Sequence, residues 1–249
     1  MSLLHALGIF AAGAAAGTIN VIVGSGTLIT FPTLIAFGYA PVVANVSNTI
    51  GLVPGSAAGA VGYRRELRGQ GSRVRKLSAA TLLGAAAGAT LLLTLPASAF
   101  KAIVPAFIAL ALVLIIVQPR LGALLRRHRG HAHERIGAAT LLGVCATGVY
   151  AGYFGAAQGI LMLAILGLSF DDDLHRLNAT KNVLAAMANL LAGVIFAIAA
   201  HVDWAVVALI VPGAIIGGTL GARYGRRLPP APLRALIVAV GIVAIVRLL

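Results

Sequence analysis

Gly84-Ala85-Ala86-Ala87-Gly88-Ala89-Thr90-Leu91, set in a long apolar run, returns later in the chain as Gly213-Ala214-Ile215-Ile216-Gly217-Gly218-Thr219-Leu220. Just downstream, Leu95-Pro96 followed by Phe100-Lys101-Ala102-Ile103-Val104 matches Leu228-Pro229 followed by Leu233-Arg234-Ala235-Leu236-Ile237. Upstream, Asn45-Val46-Ser47-Asn48-Thr49 matches Asn178-Ala179-Thr180-Lys181-Asn182, and Gly17 and Gly24 match Gly148 and Gly155 at the same spacing. Four matches in unchanged order point to an internal duplication, and self-similarity is the first thing to test when a fold is read from sequence.

The runs that carry these matches are those of a membrane protein. Of 249 residues, 60% are hydrophobic and 10% charged, against roughly 25% charged in soluble domains; the mean hydropathy is +1.00. Apolar runs fall at about 3–23, 42–62, 77–95, 101–118, 183–200, 204–222 and 234–249, with shorter ones at 24–38, 136–152 and 155–169. A span needs ~20 mostly apolar residues, and backbone polar groups in lipid must be satisfied internally, so the runs are expected to be helices. The alternating ~10-residue segments of a barrel are missing. The expected fold class is therefore an all-α integral membrane protein. Two repeats of about five hydrophobic segments, 1–118 and 136–249, flank a basic linker at 119–135. The second segment of each repeat is short or re-entrant.

Net charge +13 would suit nucleic acid if it were spread over a soluble surface, but here it sits between apolar runs. Arg64, Arg65, Arg68, Arg73, Arg75 and Lys76 fill one connection, and Arg120, Arg126, Arg127, Arg129 and Arg135 a second. Arg223, Arg226, Arg227 and Arg234 flank a third. The positive-inside rule puts these on the cytoplasmic side of a cell membrane. Both termini then fall outside, provided 136–169 makes two passes or one re-entrant hairpin. Because each repeat holds an odd number of segments, the second copy enters the membrane inverted. Inverted repeats recur in secondary transporters, with the substrate near the midplane where the repeats meet. Lipid is thus the expected partner, nucleic acid is not, and a homodimer is an allowed assembly.

Each short second segment follows a glycine-rich break. The first runs Asn20-Val21-Ile22-Val23-Gly24-Ser25-Gly26-Thr27, the second Tyr150-Ala151-Gly152-Tyr153-Phe154-Gly155-Ala156-Ala157-Gln158-Gly159. Glycine permits a sharp turn and a close backbone approach. A helix starting after such a break aims free N–H groups and the positive end of its dipole at an anion. Close helix packing through small residues is the alternative reading of the glycines. The candidate substrate-binding residues in these breaks are Asn20, Gly24, Ser25, Gly26, Tyr150, Tyr153 and Gln158. At the starts of the third segments they are Asn45, Ser47 and Asn48, and Asn178, Thr180, Lys181 and Asn182. Their polar clusters are expected at helix amino termini, where capping accounts for one or two of them. Lys181, at the edge of an apolar run, either faces a central cavity and meets an anion, or snorkels to the interface or pairs with Asp171, Asp172 or Asp173.

Other features carry less. Cys145 reads as a small core residue. His128, His131 and His133 read as solvated rather than metal-binding, and Asp203-Trp204 as an interfacial loop with an aromatic anchor. No P-loop and no catalytic triad is present in the sequence, so neither a cofactor nor an enzymatic activity is expected.

Gly17-x-x-Asn20-x-x-x-Gly24-x-Gly26, followed by Pro32, Asn45, Pro54-Gly55 and Tyr63-Arg64, resembles the sulfite exporter TauE/SafE family. Gly148-x-Tyr150-x-Gly152-x-x-Gly155-Ala156-x-x-Gly159 with Asn178-Ala179-Thr180-Lys181 resembles that family's second repeat. The resemblance covers nearly the whole chain. It implies a carrier with duplicated halves that exports sulfite, an organosulfonate or another sulfur-containing metabolite. The residues themselves leave a passive anion channel, or a membrane scaffold, as alternatives.

Overall fold

The computed structural model describes residues 2–127, 136–225 and 230–248. Among them the chain is helical throughout, in the order α1 (Leu3–Ile22), α2 (Thr27–Ala36), α3 (Pro41–Gly62), α4 (Gly71–Thr94), α5 (Ala97–Arg127), α6 (Ala138–Tyr153), α7 (Gln158–Ser169), α8 (Leu174–Ala199), α9 (Trp204–Tyr224) and α10 (Pro230–Leu248). By length and composition α1, α4, α5, α8 and α9 can each cross a bilayer. Helix α2, with 10 residues, and α7, with 12, reach only ~15 and ~18 Å at ~1.5 Å per residue, about half of a ~30 Å hydrocarbon core. Large apolar side chains such as Leu83, Leu142 and Ile198 point outward and are exposed, the arrangement a lipid solvent favours over water.

Three helices overrun their apolar cores. Helix α4 begins at Gly71 rather than 77, which takes Arg73, Arg75 and Lys76 into its first turns; α8 begins at Leu174 rather than 183. Helix α5 continues to Arg127, into the stretch read as linker. Lys and Arg are good helix formers, so a helix set by its apolar part extends through them. The reading of the two asparagine clusters as helix starts is also corrected. Asn45 to Thr49 and Asn178 to Asn182 lie inside α3 and α8, not at their amino termini. Helix α3 starts at Pro41, whose fixed φ suits the first helical position, and Asp173 caps α8 by accepting from the His175 N–H at 2.9 Å.

Small residues bring the helices together across the halves. On α1, Gly13 and Gly17 lie against Ile210 and Ala214 of α9; on α9, Gly213, Gly217 and Gly221 lie against Phe10, Ala14 and Thr18. Likewise Gly84 and Gly88 of α4 meet Cys145 and Val149 of α6, while Gly148 and Gly152 meet Thr81 and Ala85. Spacing of four keeps the small residues on one helix face, where backbones approach closely. The two matched glycine-rich stretches are therefore packing surfaces: α4 lies on α6, and α9 lies on α1.

These contacts also fix direction. Position rises on both helices along α1 and α9, along α3 and α9 (Gly51 with Ile210, Gly55 with Ala214, Gly62 with Ala222), and along α4 and α6. Along α3 and α8 it rises on one and falls on the other: Ser56 bonds Asn189, while Ile50 and Val53 meet Gly193. So α1, α3 and α9 run one way and α8 runs the other. Gln70 with Thr180, and Ala85 with Ala188, align α4 with α8, and α6 runs with them.

Candidate functional site

Helices α1 and α2 form a hairpin, with Gly8 of α1 against Phe37 beyond α2 and Gly26 against Ala16. Helices α6 and α7 form the second. The bends are built where the chain needs unusual backbone. Gly24 has φ +85°, Gly155 φ +75°, and Ala157 is left-handed at φ 58°, a region that side chains rarely enter. The two hairpin tips touch. The Gly159 N–H donates to the Gly24 carbonyl at 3.1 Å, and a Cβ on either glycine would run into the backbone of the other. This changes the expected role of the breaks: the Gly159 N–H at the start of α7 ties the two tips together instead of standing free for a ligand.

Helices α3 and α8 cross beside the tips, and each reaches the tip from the opposite half. The Asn178 side-chain amide donates to the Val21 carbonyl at 3.3 Å, and the Asn45 amide to the Tyr153 carbonyl at 3.0 Å. The Lys181 ammonium donates to the carbonyls of Asn20, at 3.3 Å, and Val21, at 3.2 Å. At the matching position of α3, Asn48 accepts from the Thr30 hydroxyl and donates to Thr27 Oγ1 at 3.4 Å. Where α3 and α8 cross, the amides of Asn20, at 2.9 Å, and Asn189, at 3.4 Å, both donate to Ser56 Oγ. The Gln158 amide in turn donates to Asn189 Oδ1 at 3.1 Å. A chain of buried hydrogen bonds thus runs from one tip, through the crossing, to the other.

Lys181 dominates the electrostatics. It is 1% exposed, and no ion pair given among the described residues includes it. Asp172, one of the carboxylates considered for it, instead pairs with Arg73 and Arg176. Snorkelling is also set aside, since the ammonium turns to the tip carbonyls. A buried charge without a counter-charge is costly, and carbonyl dipoles offset only part of that cost. The same tip and helix carry buried polar atoms with no hydrogen bond among the described residues: Ser25 Oγ beyond Gly24, and Asn178 Oδ1 and Asn182 Nδ2 on α8. Asn45 Oδ1 and the Tyr153 hydroxyl are in the same condition. Such atoms are unusual in a folded interior.

Not every candidate joins this junction. The Tyr150 hydroxyl donates to the Ala156 carbonyl and so staples its own bend. Gly26 serves packing, because a Cβ there would strike the Ala16 carbonyl. Thr180 and Ser47 turn away toward Gln70 and Asp203. Ser56, Asn189 and Thr30 were not singled out from sequence. Asn189 had a usable signal, being an amide within the apolar run 183–200; Ser56 and Thr30 resemble ordinary small packing residues. Two outer grooves, between α6 and α7 and between α2 and α10, are lined by none of the junction residues. His128, His131 and His133 lie outside the described residues; among the described ones no group of His, Cys, Asp and Glu is arranged to hold a metal.

Comparison with known proteins gives matches over nearly the full length. The family model "Sulfite exporter TauE/SafE" matches residues 9–248. The probable membrane transporter protein YfcA of Escherichia coli (strain K12) is 27% identical over 234 residues, covering 94% of this chain and 86% of that protein. A probable membrane transporter protein of Haemophilus influenzae is 27% identical over 216 residues, 86% and 83% of the two chains. The probable membrane transporter protein ORF9 of Sinorhizobium sp is 30% identical over 247 residues, 97% and 91%. No solved structure matches the chain.

Proposed function

The chain belongs to the sulfite exporter TauE/SafE family and is a multi-pass membrane transporter; from that premise we propose that it is a secondary carrier that exports a small oxyanion, sulfite or an organosulfonate, across the cell membrane. The observation that carries the reading is Lys181. It is a buried lysine at the meeting point of two hairpin tips, held by carbonyls alone among its described partners. Cation transport through the same junction is disfavoured, since no carboxylate contributes to it. An anion seated beside the ammonium supplies the missing charge; the Ser25 hydroxyl and the Asn182 Nδ2 can donate to its oxygens, while Asn178 Oδ1, an acceptor, meets it only through water.

Alternating access is the mechanism proposed. The two halves, 1–118 and 136–249, joined by 119–135, act as one interleaved domain of inverted repeats. In support, α1 runs opposite to α6, α3 opposite to α8, and α4 opposite to α9. The return helices α2 and α7, with 10 and 12 residues, are too short to cross, so in this reading the two tips meet within the membrane, where inverted-repeat carriers hold their substrates. The basic connections at 64–76 and 119–135 are cytoplasmic in this reading, and both termini are outside.

Flux in proteoliposomes tests the function. A carrier gives saturable sulfite movement at about 1–1,000 turnovers per second, the range of conformationally limited cycles, competed by small sulfonates. Absence of anion flux would remove the transport reading; unsaturable currents far above that rate would replace it with a channel.

A further inference from the structure

The junction has a polar contact on each side of it, and both are built from equivalent parts. Thr180, next to Lys181 on α8, donates its hydroxyl to Gln70 Oε1 at 2.9 Å. Ser47, next to Asn48 on α3, accepts from the Asp203 N–H at 3.0 Å. Gln70 and Asp203 are the N-cap residues of α4 and α9, the fourth helices of the two halves. Ser47 and Thr180 hold the same place in the matched clusters Asn45 to Thr49 and Asn178 to Asn182. In each case the third helix of one half is tied to the cap of the fourth helix of the other.

The Gln70 side is further braced. Gln70 is buried, and its amide donates to the Glu66 carbonyl at 2.8 Å and to the Arg176 carbonyl at 3.5 Å. Asp172 bridges Arg73 and Arg176, the guanidinium of Arg73 stacks 4.2 Å from the Phe170 ring, and Arg176 donates to the Arg68 carbonyl at 3.4 Å. These bonds clamp the connection between α3 and α4 onto the start of α8, the helix that carries Lys181. Charged contacts at a moving interface are well suited to breaking and re-forming, since water replaces them at low net cost.

We propose that Gln70–Thr180 and Asp203–Ser47 are the two seals of the substrate path, one toward each side of the membrane, and that the Arg73–Asp172–Arg176 triad latches the first. The proposal rests on the transport reading and names the parts that alternate. An alternating carrier must open one seal while the other stays shut.

The test uses Ser25, whose hydroxyl is buried and unbonded, as a thiol reporter. In a Cys145→Ala background carrying Ser25→Cys, an impermeant thiol reagent is applied to each face of oriented membrane vesicles. Asp172→Asn is expected to speed labelling about tenfold from the face that carries residues 64–76 and to leave the other face unchanged, a shift that needs only a small bias between two states. Ser47→Ala is expected to speed labelling from the opposite face alone. Should Asp172→Asn fail to fold, Gln70→Ala opens the same seal without touching the ion pairs. Labelling that does not change, or rises equally from both faces, overturns the proposal. Sulfite binding by the Asp172→Asn and Gln70→Ala proteins is read separately: side-specific labelling without any sulfite binding keeps the seals and removes the anion site, and binding with unchanged labelling does the reverse.

Discussion

Lys181 stood out in the sequence as a candidate because a lysine at the edge of an apolar run is costly, and the structure shows it buried. Its partners were not legible. The carbonyls of Asn20 and Val21 belong to the other half of the chain, and no local pattern encodes a backbone acceptor so distant in sequence. The glycines behave similarly. Gly24 and Gly38 both have positive φ, but only Gly24 faces another backbone, that of Gly159; nothing lies near a Cβ at Gly38. Gly38→Ala is therefore expected to cost only the left-handed backbone penalty, about 1–2 kcal/mol. Gly24→Ala adds a steric collision to that penalty and is expected to lower the melting temperature more and to abolish sulfite flux. Thermal unfolding in detergent, with flux in proteoliposomes, checks both; equal effects of the two substitutions would show that the tips do not touch.

Among elements, the apolar runs located the helices well, and the shortness of α2 and α7 followed from run length alone. Helix starts were misplaced where polar residues extend a helix beyond its apolar part, as in α4 and α8. That is why Asn178 looked like a cap; Asn45 lies four residues past the start of α3, and both proved to be interior residues reaching the tips of the opposite half. Packing partners were also hidden: Gly213 and Gly217 announce a tight interface, but their spacing does not say which helix fills it. The structure gives α1. Gly217→Leu is expected to destabilise the protein by about 3 kcal/mol or more through overpacking, and Gly88→Leu to do the same at α4–α6. Leucine at the exposed Ile216 should change the melting temperature little. Comparable losses at Ile216 and Gly217 would contradict the α1–α9 contact.

For the whole molecule, composition and the apolar runs carried the all-helical membrane architecture, while the inverted arrangement of the halves belongs to the proposed mechanism, which the opposed directions of α3 and α8 support. Orientation in the membrane follows from charge alone and has a direct check. In a Cys145→Ala background, Gly71→Cys is expected to label from the cytoplasm and His201→Cys from outside, each at an exposed position; labelling of both from one face would break the topology. What composition could not reveal is how the two halves converge, because the junction is assembled from four elements that are far apart in sequence.

Sulfite binding to purified protein, with Lys181 intact and with Lys181→Met, tests the central claim most directly. Methionine keeps the length and removes the charge; it relieves the cost of burying an unpaired charge and leaves the Asn20 and Val21 carbonyls without that donor, so the variant's fold is checked by its melting temperature before binding is read. The account expects a saturable isotherm for the parent and a loss of at least about tenfold in affinity for Lys181→Met, roughly 1.4 kcal/mol or more. An unchanged isotherm in a folded Lys181→Met protein would contradict it.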